Sequence, residues 1–185
     1  AVTRKNGVFR LFVNGNLEAT NSSITSRIAA ANYNSSGQNL AIANTFDRQV
    51  SEPFKAKISN VRITMGQCLY ETDFIPSMEP LTTTSQGATA SNVKFLGLNQ
   101  SSPTAATVTP GTITSYGTVG ADDAHNPFDD DYSVDFDGND YLTIEDSTDF
   151  DLAAVDFTIE CWYRPRTNPS WVGLMSQWPN GDYNV

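Results

Sequence analysis

YSVDFDGNDYLTIEDSTDFDLAAVDFTIECWYRP, residues 132–165, is the stretch whose reading decides the fold. Tyr132, Val134 and Phe136 fall on one side and Ser133, Asp135 and Asp137 on the other, the period-two pattern of a strand with one face in a core. Gly138-Asn139 supplies turn chemistry, and Tyr141 to Ile144 resumes as the expected hairpin partner. After a short acidic connection, Phe157, Ile159, Cys161 and Tyr163 form the apolar side of a third strand, with Thr158, Glu160 and Trp162 opposite. The stretch specifies half-buried antiparallel sheet.

The same pattern extends outward in both directions. Residues 1–20 read as three short strands joined by turns at Lys5-Asn6-Gly7 and Asn14-Gly15, the strongest local hairpin signals in the chain. Phe9, Leu11 and Val13 are the expected inward set there, with Arg10 and Phe12 opposite. Residues 21–37 read as a loop and Leu40 to Ala43 as a short strand. In Lys57 to Met65 the apolar positions Ile58, Val61 and Ile63 break register, which predicts a bulge near Ser59-Asn60. Thr72 to Pro80 carries two prolines and reads as an extended tail laid along a surface. The Thr/Ser/Gly-rich residues that follow read as a polar linker, dividing the chain into 1–81, a linker at 82–92, and 93–185. Beyond it come a strand from Val93, two strands around Pro110-Gly111, an acidic loop at 121–131, and a short strand at Val172–Gln177. Helical periodicity is absent, so the fold class is all-β, an antiparallel β-sandwich.

At 185 residues the chain is one large β domain or parts of two. Its mean hydropathy of -0.34 suits a protein with a core and a wet surface, and no apolar run approaches the roughly 20 residues of a spanning helix. The opening AVTRKNGVFR has no signal-peptide character and falls straight into a strand pattern, as a piece of something longer would. Charge is divided unevenly. Residues 1–80 carry eight cations against six acids, whereas 81–185 carry three against fifteen, and the whole is at -10. That acidity argues against nucleic acid, whose phosphates demand clustered Lys and Arg. Cys68 and Cys161 are too sparse for a disulfide framework and read as two free thiols in strands, with a single bridge as the alternative.

With these patterns in place, FDGNDYLTIEDSTDFDLAAVDFTIECWYRP (136–165) resembles the opening half of a laminin-G-like, concanavalin A-like jelly-roll module. Residues 1–81, through VTRKNGVFRLFVNG and ISNVRITMGQCLYETDFIPSMEPL, are similar to the closing half. Closing-half motifs precede opening-half motifs, which leaves three arrangements open. They are parts of two neighbouring modules, one permuted module, or copies completing each other by strand exchange. The resemblance is to modules found in tandem in bacteriophage structural proteins. It implies a non-enzymatic structural or adhesion protein of a virion surface (fibre, tail or capsid-decorating). Its implied partners are other virion proteins, neighbouring modules, further copies of itself and host glycans. A secreted, Ca²⁺-dependent lectin-like adhesion module at the cell surface is the alternative, and a glycoside hydrolase a distant third.

Three kinds of chemistry are candidates. Asp135 and Asp137 share a strand face, as paired carboxylates of a glycosidase must, but the Glu-x-Asp-x-x-Glu pattern of such enzymes is absent. His125 stands without a nucleophile motif. The acids Asp122, Asp123, Asp129, Asp130, Asp131, Asp135, Asp137 and Asp140 crowd one region. Among them Asp129, Asp130, Asp131, Asp137 and Asp140 are the metal candidates, because Ca²⁺ takes six to eight oxygen ligands. Trp162, Trp171 and Trp178 are candidate platforms for sugar rings; the plainer reading of Trp162 is that a second layer covers it.

Overall fold

In the computed structural model the described residues are 1–23, 39–44, 54–129, 131–152, 155–167 and 173–177. They form an antiparallel two-sheet β-sandwich. The strands are β1 (Val2–Lys5), β2 (Val8–Val13), β3 (Asn16–Asn21), β4 (Leu40–Ile42), β5 (Lys55–Met65), β6 (Val93–Gly97) and β7 (Ala106–Val108). They continue as β8 (Ile113–Tyr116), β9 (Gly120–Asp122), β10 (Ser133–Asp137), β11 (Tyr141–Ile144), β12 (Phe157–Pro165) and β13 (Met175–Gln177). No helix among the described residues is long and apolar enough to cross a membrane.

The larger sheet runs β3-β2-β1-β12-β5-β10-β9, with β6 on the far half of the β5 edge and β7 beyond it; the smaller runs β13-β4-β11-β8. β5 is long enough to serve β12 along one edge and both β10 and β6 along the other. Ala56, Ile58, Val61 and Ile63 line its inner face and meet Leu40, Ile42, Leu142 and Ile144 of the smaller sheet, with Phe95, Val134, Phe136 and Phe157 alongside. Each such large side chain contributes roughly 1.5–3 kcal/mol by leaving water.

The irregular register of β5 is a bulge. Glu160 faces Arg62 and Trp162 faces Ser59, so Cys161 alone spans Asn60 and Val61. Asn60 takes a positive φ of 51°, a conformation asparagine tolerates better than a branched residue. This one insertion keeps Ile58 and Val61 both inward. The two Asn-Gly steps form the expected turns, with positive φ at Asn6, Gly7, Asn14 and Gly15.

Two sequence readings are corrected. The expected hairpin of residues 132–144 does not form. Val134 and Phe136 bury themselves from the larger sheet, while Leu142 and Ile144 do so from the smaller. Gly138-Asn139 thus carries the chain across the sandwich instead of folding it back. The strands flanking Pro110-Gly111 are split in the same way, β7 to one sheet and β8 to the other. The second correction concerns β2. Leu11 and Val13 are exposed, and Phe12, from the opposite face, is 2% exposed. It is covered by Tyr70 and Phe74 of the tail, whose rings lie edge-on to it.

β3 is a sheet edge with one neighbour among the described residues. All six of its residues are exposed, and Glu18 is an extra residue between the pairs Leu11–Ala19 and Phe12–Leu17. A short, bulged, charged edge is a poor template for further strands.

Candidate functional site

The polar chemistry of the molecule is concentrated on the outer face of the larger sheet. Strand alternation places Thr3, Lys57, Ser59, Arg62, Thr64, Thr158 and Glu160 there, and every one is buried. Thr3, Arg62, Thr158 and Glu160 are bonded to the segment from Gly66 to Asn92, which covers them. Thr3 donates to the Tyr70 carbonyl at 2.9 Å, and Thr158 accepts from the Leu69 N–H at 2.8 Å and donates to the Gln67 carbonyl at 3.2 Å. The tail continues to the β2–β3 turn, where the Phe74 N–H donates to the Gly15 carbonyl at 2.9 Å. Residues 82–92, the segment read as a linker, lie against β5, with Ala88 buried between Leu81, Val93 and Leu96.

At the centre is a clasp. Arg62, 0% exposed, donates from Nε and Nη2 to Glu160 Oε1 at 2.8 and 2.6 Å. Its Nη1 donates to the Thr82 carbonyl, the Ser85 carbonyl and Ser85 Oγ at 2.7–3.0 Å. The Tyr70 hydroxyl donates to Glu160 Oε2 at 2.8 Å. Burial, and then the neighbouring Glu160 carboxylate, push the Tyr70 hydroxyl well above its ordinary pKa. A buried guanidinium satisfied on all three nitrogens by a carboxylate and the Thr82–Ser85 turn is a structural lock.

A second network lies toward β9. Lys57 Nζ donates to Asp122 Oδ2 and, at 3.1 Å, to Asp135 Oδ2, while Arg166 pairs with Asp135 Oδ1. The hydrogen bond from Lys57 is the main cause holding Asp122 well below the usual carboxylate range. Between the two networks stands Asn60. Its amide donates to Ser59 Oγ at 2.9 Å and to Asp131, and its Oδ1 accepts from the Leu81 N–H at 3.0 Å.

The sequence candidates are dispersed across this framework. Asp129 is exposed. Asp131 is buried against Asn60, and that burial raises its pKa. Among the described metal candidates Asp137 and Asp140 are in contact with each other, in the crossing between β10 and β11. Asp137 Oδ1 accepts from the Asn139 N–H at 2.9 Å, and Asp140 Oδ1 accepts from the N–H groups of Asp137 and Gly138 at 2.8 and 3.2 Å. Burial, opposed in part by the backbone donors, raises Asp140; the Asn139 N–H and Asp140 lower Asp137. Asp140 Oδ2 is buried without a hydrogen-bond partner. Among the described residues no three His, Cys, Asp or Glu side chains form a set able to hold a metal ion. Asp130, Trp171 and Trp178 lie outside the described residues.

Asp135 points to Lys57 and Arg166, whereas Asp137 is tied into its own turn, so the two have different partners. His125 stands 3.3 Å from Asp122 and half exposed. Trp162 is half-buried, its ring 4.9 Å from that of Phe128 and edge-on to it, and it packs against Leu81, Ala88, Val93 and Leu96. Cys68 and Cys161 are both free; burial pushes the Cys161 thiol up to about 11.

Arg62, Tyr70 and Lys57 went unnoticed in the sequence. The signal was present, since Lys57 and Arg62 occupy the polar side of an otherwise apolar strand. Their partners, however, lie 98 positions away for Glu160 and 65 for Asp122, and only the strand pairing brings them together. No protein-family model, curated protein or solved structure matches this chain.

Proposed function

We propose that this protein is a non-enzymatic structural and adhesion module of a virion surface, stacked against like modules or other virion proteins and touching host glycans. The observation that carries the structural part is the use made of its charges. Asp122 and Asp135 are spent on cross-strand pairs with Lys57 inside the larger sheet, while Glu160, through Arg62 and Tyr70, and Asp131, through Asn60, belong to the networks that hold the outer layer to it. Such an arrangement serves rigidity. The viral setting, and the laminin-G-like kinship behind it, rest on the likeness of residues 1–81 and 136–165 to tandem phage modules. The test is to probe purified particles for the protein by quantitative mass spectrometry and to screen the isolated protein on a glycan array. The expected result is many copies per particle with glycan hits weakened by Trp162→Ala. Absence from particles overturns the viral assignment, and an array without hits overturns the glycan contact.

One observation favours the Ca²⁺-dependent lectin as a second reading. Asp140 Oδ2 is buried with no hydrogen-bond partner beside Asp137, a situation a hard cation relieves. Asp137 and Asp140 are the residues that would hold it. A melting temperature that rises with CaCl₂ and falls back with EDTA supports this reading; an unchanged one removes it.

A further inference from the structure

Neither β4 nor β5 has a strand partner within residues 1–81 among the described residues. The neighbours of β5 are β12, β10 and β6, and those of β4 are β11 and β13. β1 completes the pattern by pairing with β12. Within 1–81 the described pairing is confined to β1, β2 and β3. The buried Arg62–Glu160 lock and the Asn60–Asp131 bond both join one segment to the other. The hydrogen bonds and core contacts that stabilise one segment are therefore supplied by the other.

The connection between them is short and its first part is tied down. Arg62 grips Thr82 and Ser85, and Gln67 donates to the Gly87 carbonyl and accepts from the Thr89 N–H, both at 2.9 Å. All these anchors belong to the first segment. What remains between the anchored stretch and β6 is a single 3-10 turn, Ala90–Asn92. Opening that turn releases 93–185 without disturbing any contact of residues 66–89 with β5.

We propose that residues 1–81 and 93–185 are mutually completing halves and that the partner each can take is the other half of a second copy of this chain, exchanged at Ala90–Asn92. The same pairings form within one chain or between two. The closed form is favoured by the effective concentration of a short connection, of order millimolar, and by the intact turn. Residues 66–89, locked by Arg62, stay with their own β5 in either form.

Two experiments on the full chain test this. Deleting Ala90–Asn92 removes the turn that closes the chain on itself. The expected product in light scattering is a dimer or longer assembly, in multiples of a chain mass just under the parent's 20.2 kDa, with the near-ultraviolet spectrum of the parent. A native monomer overturns the proposal. Should the deletion variant fail to fold, the second experiment decides. One full-length variant carries Ile58→Asp and Ile63→Asp, the other Phe157→Asp and Ile159→Asp; each is expected to be unfolded alone. Mixing them restores about half of the parent's native signal in a one-to-one complex, because one exchanged pair of halves is intact and the other carries all four aspartates, whereas no recovery on mixing overturns the proposal.

Discussion

At the scale of single residues the decisive feature is a buried ion pair in which each guanidinium nitrogen and each carboxylate oxygen has a partner. Replacing Arg62 with Met leaves Glu160 charged, buried and held by Tyr70 alone, so a loss of about 3–5 kcal/mol is expected from urea unfolding. Removing both charges with Arg62→Met and Glu160→Leu should cost less than Arg62→Met alone, because no orphaned charge remains. Asp140 works in the opposite sense. Its raised pKa means that its protonated form favours the fold, fully below the ordinary value of 3.8, and that this contribution is lost as pH rises through the raised value. Asp140→Asn keeps an acceptor for the two backbone donors and removes the charge. We expect it to raise the melting temperature at pH 7 by about 2–4 °C and to leave it unchanged near pH 3. The Ca²⁺ reading expects instead that the variant loses a calcium-dependent rise. Asp122, held low by Lys57, adds stability above the ordinary carboxylate range that fades as pH falls through its depressed value.

Among the elements, the tail and the β5 bulge decide which faces of β2 and β5 are buried. Gly15 has φ +82°, and a methyl group there would run into the Phe74 carbonyl and come within 2.9 Å of Pro76 Cδ. Gly15→Ala should therefore lift the tail from Phe12, read as faster proteolysis between Phe74 and Pro80 with the core spectrum retained. Unchanged proteolysis would show that the tail is held elsewhere. At Asn60, replacement by Gly keeps the left-handed backbone and replacement by Val does not. Val should be the more destabilising of the two by roughly 1 kcal/mol or more, beyond the shared loss of the amide's three hydrogen bonds. The bulge was legible because Ile58, Val61 and Ile63 cannot share one face without an extra residue. The tail was legible from its prolines. The hairpin at Gly138-Asn139 was misread because a Gly-Asn step fits a turn back onto the same sheet and a crossing to the other sheet equally well. The apolar residues that follow bury in either case. On β2, Phe9 packs against the core as its alternation predicts, but Leu11 and Val13 stay exposed and a tail about 60 positions away in sequence buries Phe12 on the opposite face.

For the whole molecule, the class was readable and the weave was not. Period-two alternation, Asn-Gly turns and the absence of helical spacing are local, and they suffice for an all-β sandwich. Which strand lies beside which is set by contacts far apart in sequence, such as Arg62 with Glu160, and no local pattern encodes them. The same holds for the candidate site. Acids crowded in sequence around residues 122–140 separate in space into a Lys57 network, an Asn60 partner and a turn. Residues scattered in sequence converge on the outer face of β5. The central claim is that strands from both sides of residues 82–92 form one sandwich and stabilise one another. Scanning calorimetry tests this most directly. The account predicts one transition whose calorimetric and van't Hoff enthalpies agree, and which Phe157→Asp abolishes entirely. Two resolved transitions, one of them surviving Phe157→Asp unchanged, would contradict it.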